Sequence, residues 1–122
     1  MQPHERLEVW AKAHEFYLAV HKTTKTWPRD ERFELTSQVR RAAFSVPANI
    51  AEGASRLEPR QFRHFLDIAR GSLAETAYGL VAARDLGYVT KEHWATLDQL
   101  RDKVSRMLWG LLSSMSDAVN KT

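Results

Sequence analysis

Five histidines, at positions 4, 14, 21, 64 and 93, are the residues best suited to metal or acid–base chemistry in this 122-residue chain. Helical bundles hold paired metal ions with inward carboxylates and a Glu-x-x-His pair on each of two helices. The residues three positions before these histidines are Met1, Ala11, Leu18, Gln61 and Thr90, and none is glutamate. His14 and His21 stand seven apart, but nothing nearby completes a ligand set. Cysteine is absent, which excludes disulfides, thiolate zinc sites and cysteine nucleophiles. Ser45 and Ser72 have no histidine at an obvious partner position, so no nucleophile, base and orienting acid converge. A GxxxxGK phosphate loop is also missing. The expectation is a protein with no metal, no cofactor and no enzymatic activity.

Two other sets of polar residues carry more information. In the stretch QVRRAAFSVPANIAEGASR, residues 38 to 56, Gln38, Arg41, Ser45, Asn49 and Glu52 recur at spacings of three and four. That spacing places them in one row on a helix, beside small residues that allow a partner helix close approach. An antiparallel partner folded back about a turn near residue 57 brings Arg41 level with Leu73 to Glu75, and Ser45 level with Ala69 to Ser72. An Arg41–Glu75 ion pair and close Ser45–Ser72 packing are therefore expected, fixing helix register. The second set is Arg40, Arg56, Arg60, Arg63 and His64, the candidate nucleic-acid contacts. Arg60, Arg63 and His64 lie one helical turn apart and can track phosphates on an outward face.

Four helices must position these groups. The first is expected from about Glu5 to Thr26, with Trp10, Ala13, Phe16, Tyr17, Val20 and Thr24 on one face. Trp27-Pro28 ends it, because a residue before proline is pushed out of helical angles. Arg29 to Glu34 reads as a short helical turn. The second helix is expected over Leu35 to Ser55, with Leu35, Val39, Ala42, Val46, Ile50 and Gly53 as its core stripe. Pro47 removes one donor and frees the carbonyl of Ala43, which predicts a bend, eased if the Ser45 hydroxyl bonds back to the carbonyl of Arg41. Phe33, Phe44 and Ala51 fall opposite the core stripe. Together with Trp109 they predict a subunit contact, since a helix apolar on two faces has a second surface to bury.

Pro59 suits the first turn of a third helix. That helix runs to about Leu86 with Phe62, Phe65, Leu66, Ala69, Ser72, Leu73, Thr76, Leu80 and Ala83 inward. Gly87 is a left-handed cap and Thr90 an N-cap for the fourth helix. The latter runs from Lys91 to about Val119, where Leu97, Val104, Leu111 and Ala118 keep a seven-residue period. Leu100, Met107, Leu108 and Met115 reinforce that seam, and Trp94 and Leu112 widen it. Short connections and no strand-like alternation give an all-α fold: an antiparallel up-down-up-down four-helix bundle, one domain over residues 1–122.

The bulk properties agree. Charged residues make up 27% and hydrophobic ones 43%, ordinary for a soluble domain of this size. No apolar run approaches the roughly 18 residues of a membrane span. The start, MQPHERLEVW, lacks the order of a signal peptide, so a cytoplasmic location is expected. Net charge is +3, and arginine supplies 12 of the 18 cationic residues. Eight of those arginines fall between residues 29 and 70, but so do six acids, so net charge alone is weak support for nucleic acid.

Gln38 to Gly53, Q-V-R-R-A-A-F-S-V-P-A-N-I-A-E-G, closely resembles the signature of a bacterial four-helix bundle family that includes proteins encoded within intervening sequences of 23S ribosomal RNA genes. The likeness continues through Arg56, F-x-x-F-L-x-I-A-R-G-S-L-x-E from Phe62 to Glu75, and L-G-Y from Leu86 to Tyr88. One departure is Leu57-Glu58, where the family often has a serine to cap the third helix. The resemblance implies a bundle that assembles as a ring-like homopentamer and has no enzymatic role. It is more distantly similar to the accessory variability proteins of diversity-generating retroelements, basic pentamers that bind nucleic acid and associate with a reverse transcriptase. Two functions follow as expectations: an oligomer that binds RNA or DNA or serves a reverse transcriptase, or a structural, protein-binding oligomer without a nucleic-acid role.

Overall fold

The structure, a computed structural model, describes the backbone of residues 1–120 and the side chains of residues 1–115. Four helices carry the fold: α1 (Glu8–Thr24), α2 (Leu35–Ala54), α3 (Pro59–Asp85) and α4 (Lys91–Asn120). Short 3-10 turns cover Pro3–Arg6 and Arg29–Glu31, and no strand occurs among the described residues. α1 packs on α2 and α4, α3 packs on α2 and α4, and α1 and α3 lie across the diagonal. This is the four-helix bundle expected from the helical spacing. The side chain of Ala118, expected on the α4 seam, lies outside the described residues.

Local chemistry sets most of the boundaries. α1 starts three residues later than expected because Pro3–Arg6 closes as a 3-10 turn, tied by Glu5 N–H to the carbonyl of Gln2 at 3.1 Å. Leu7 then adopts an extended conformation before the helix begins. At the other end, the Thr24 hydroxyl donates to the carbonyl of His21 (2.8 Å), satisfying an acceptor of the last turn, while the Thr23 hydroxyl donates to that of Ala19 (2.9 Å) one turn earlier in the helix. α2 runs without interruption through Pro47. Ser45 does not bond back to Arg41: its hydroxyl instead accepts from Asn49 Nδ2 at 2.8 Å and from the Ser72 hydroxyl at 2.9 Å.

Pro59 stands in the first turn of α3, and Glu58 provides no side-chain cap, as the Leu57-Glu58 departure foreshadows. Gly87 has φ +82° and closes α3 with Gly87 N–H to the carbonyl of Arg84 and Tyr88 N–H to that of Ala83. That is the Schellman pattern, for which glycine avoids the strain of a Cβ. The Thr90 hydroxyl accepts from His93 N–H at 3.1 Å, capping α4.

The core is filled by Phe16 and Val20 of α1, Val46 and Ile50 of α2, Leu66 and Leu80 of α3, and Val104 and Leu108 of α4. Ala13, Ala43, Ala69 and Ala83 are fully buried between them, so the backbones approach closely. Trp10 and Tyr17, expected in the core, are only half-buried, while Val9 and Thr23 take the buried positions. Trp10 stacks on His14 at 5.2 Å and Tyr17 meets Phe44 edge-on at 5.5 Å, so both rings seal the rim rather than fill the centre.

Candidate nucleic-acid interface and the α2–α3 seam

Residues that meet across the α2–α3 seam have midpoints between about residues 57.5 and 59, one to two residues beyond the turn expected near residue 57 for most pairs. Ser45 reaches Ser72, Val39 faces Gly79, and Gly53 sits beneath Phe62 and Phe65. The Ser45–Ser72 contact is the one expected. The Arg41–Glu75 ion pair does not form: Arg41 instead reaches Ser37 Oγ on its own helix at 3.4 Å. Both charged side chains are exposed on the lip of a groove of about 450 Å³, lined also by Phe33, Gln38 and Ser72. Water solvates each of them there, so no desolvation cost forces them together. Register is held instead by the serine pair and the two buried glycines.

The rest of the polar row works locally. Asn49 Nδ2 donates to the carbonyl of Ser45 at 2.8 Å, and Glu52 pairs with Arg56 at 2.5 Å. Beyond it, the start of α3 presents the expected cationic group. Arg60, Arg63 and His64 are exposed, Arg56 lies over the Phe65 ring at 4.9 Å, and His64 meets the same ring at 5.4 Å. Arg70 pairs with Asp67 at 3.8 Å one turn further on and covers Trp109 at 4.9 Å.

Arg40 does not join this group. It lies about 24 Å up the axis of α2 from Arg56, at about 1.5 Å per residue. Its Nε donates to Thr24 Oγ1 on α1 at 2.7 Å. There it joins Lys25, Arg29 and Arg32 around a pocket of about 230 Å³ at the α1–α2 corner. Sequence reading missed this second cluster. Its signal was the Lys25…Arg29-x-x-Arg32 spacing astride Trp27-Pro28, obscured by Asp30, Glu31 and Glu34 between and after them.

The aromatic residues expected at a subunit contact are exposed, Phe33 at 85%, Phe44 at 56% and Trp109 at 58%, with Ala51 half-buried. They do not share one face. Phe33 precedes α2, and the non-helical backbone of Glu34 (φ −116°, ψ −103°) carries it to the α2–α3 groove. Phe44 stays on the helix and faces the α1–α2 edge against Tyr17.

Burial first, and then the charges of Arg40 and Lys25, hold His21 below its ordinary pKa of 6.5. The unfolded chain therefore takes up this proton before the folded one. The stability His21 contributes is full above about pH 6.5 and falls as the pH drops below it. Replacing His21 by glutamine is expected to reduce the loss of stability between about pH 7.5 and pH 5.5. Urea unfolding at the two pH values checks it, and an unchanged difference would show that His21 plays no part.

An all-helical bundle with an arginine-bearing end and exposed aromatic rings on its long faces is the class these features define. Among the described residues no group of three or more metal-capable side chains converges, and no helix is long and apolar enough to cross a membrane. The chain belongs to the 23S rRNA-intervening sequence protein family, whose model matches residues 5–110. A protein of unknown function from the S23 ribosomal protein family of Bacteroides thetaiotaomicron has a similar solved structure, with a TM-score of 0.79 at 24% identity. The match covers 85% of this chain and 97% of that one, and it concerns the fold. No curated protein matches the chain. Neither the family nor the neighbour is described by a reaction.

Proposed function

We propose that this protein is a non-catalytic, self-assembling bundle of the cytoplasm, a homopentamer as its resemblance implies. It binds RNA or DNA through the start of α3, with a reverse transcriptase as the protein partner the resemblance suggests. The observation that carries this reading is the clustering of Arg60, Arg63 and His64, all exposed, beside Arg56 at one end of the bundle. Arg60 makes no ion pair among the described residues. Repeated around a ring, this group multiplies its field on a polyanion. A second reading, a structural oligomer that binds only protein, draws on the Glu52–Arg56 and Asp67–Arg70 pairs, which interleave acids with bases.

Fluorescence anisotropy with single-stranded RNA and duplex DNA separates the two. Binding is expected at about 50 mM salt and to weaken steeply by about 200 mM. The double variant Arg60→Gln/Arg63→Gln is expected to weaken binding similarly for all sequences and to flatten the salt dependence, by about one phosphate contact per residue. Negligible, salt-independent binding by the unaltered protein would leave the structural reading standing.

A further inference from the structure

We propose that the pocket at the α1–α2 corner, walled by Lys25, Arg29, Arg32 and Arg40, is a binding site for one phosphomonoester group. The four cations converge from three segments: the end of α1, the loop that follows it and the second turn of α2. Arg56, Arg70, Arg84, Arg101 and Arg106 each lie against an acid. Among the described residues, Lys25, Arg29, Arg32 and Arg40 pair with none. No acid lines the pocket, and the neighbouring Asp30, Glu31 and Glu34 come within ion-pair distance of none of these cations, the Glu31 carboxylate being turned to accept from the Tyr88 hydroxyl at 2.7 Å. Like charges gathered without counter-charge are a standing electrostatic cost, which a bound anion relieves.

A second, independent observation points the same way. Trp27 and Thr36 also line the pocket, and each is only 6% exposed. The indole N–H of Trp27 and the hydroxyl of Thr36 are buried polar atoms without a hydrogen-bond partner. Leaving such a group unsatisfied costs about 1–3 kcal/mol, so buried polar groups normally have a protein or water partner, and an orphan is one sign of a bound water or ion. The only other such atom among the described residues is His21 Nδ1, one helical turn before Lys25. The lowered pKa of His21, owed in part to Arg40 and Lys25, registers the positive field of the same corner.

Size and chemistry select the ligand. About 230 Å³ is smaller than the roughly 300–1,000 Å³ of sites that enclose a whole organic ligand. It holds a compact anion and a few waters of about 30 Å³ each. Arginine forks suit phosphate oxygens, and a phosphomonoester carries nearly two charges where a carboxylate carries one. With Nε committed to Thr24, Arg40 retains its terminal nitrogens for such a ligand. The group could be the end of a nucleic acid or part of a small phosphorylated molecule, and the site does not depend on the α3 arginines.

The test follows the Trp27 indole N–H by ¹⁵N–¹H NMR of the whole chain, its resonance assigned with Trp27→Phe. Potassium phosphate is expected to shift it saturably, while chloride and acetate at matched ionic strength do not. Arg29→Gln/Arg32→Gln, at two exposed positions, is expected to weaken the phosphate effect at least tenfold, and Arg60→Gln/Arg63→Gln to leave it unchanged. Arg40→Gln serves as a second variant, with helical circular dichroism confirming its fold. Adenosine monophosphate and a short oligonucleotide with a 5′-phosphate or 5′-hydroxyl then distinguish the sources. Preference for the phosphorylated oligonucleotide assigns a nucleic-acid end, and equal saturation by the mononucleotide a small phosphate. A linear, non-saturating shift, an equal response to acetate, or indifference to both pocket variants overturns the site. Loss of nucleic-acid binding in the α3 variant with the phosphate shift intact bears on the function proposed above, not on this pocket.

Discussion

Replacing Gly53 by alanine is expected to destabilise the bundle by about 1–2 kcal/mol, although alanine is the better helix former by nearly 1 kcal/mol. A Cβ at position 53 would stand 2.8 Å from Phe62 Cδ1, 2.9 Å from Phe65 Cβ and 3.2 Å from the Phe62 carbonyl oxygen. Two of those atoms belong to or adjoin the α3 backbone, so the helices themselves must separate. Gly79→Ala acts at the other end of the seam, where the new Cβ would run into Val39 Cγ2. Val39 is 2% exposed and β-branched, which leaves it little freedom to turn aside. Gly71 and Gly110 provide the contrast, because nothing lies within 4 Å of a Cβ at either. Alanine there is expected to stabilise by about 0.5–1 kcal/mol. Urea unfolding of the four variants reads the difference. If Gly53→Ala proved as stable as Gly71→Ala, close backbone approach would not be what holds α2 on α3.

The proposed assembly predicts that Phe44→Glu converts the particle to single chains, as read by sedimentation velocity. Fully burying a phenylalanine is worth about 1.5–3 kcal/mol and the 56% still exposed here about 1–1.7 kcal/mol, so its loss from each contact weakens association roughly 5- to 20-fold. A buried, unpaired carboxylate adds to that. The chain itself should stay folded, because the ring is already 56% exposed and its one aromatic contact, with Tyr17, contributes about 1 kcal/mol. Phe33→Glu and Trp109→Glu locate the remaining contacts, since these rings lie on different faces. Sedimentation of the unaltered protein as a single chain would remove the assembly, and with it the shared cationic rim. An unchanged particle in Phe44→Glu would exclude the α1–α2 edge as the contact.

The four helices, their ends to within about three residues, the first-turn proline Pro59 and the caps at Gly87 and Thr90 were legible in the amino-acid order. So was the Ser45–Ser72 contact, because helical spacing and an antiparallel fold-back fix which positions share a level. These features depend on backbone geometry and neighbours within a turn. Long side chains are different. Arg41 and Glu75 share a level yet part company because both reach water, and Arg40, about 24 Å from Arg56 along α2, finds its acceptor in Thr24 of α1. Phe33 leaves the face of Phe44 because the chain is not yet helical at Glu34. Only tertiary structure drew Lys25, Arg29, Arg32 and Arg40 around Trp27 and Thr36, since the corner between two helices, not any local repeat, sets their convergence.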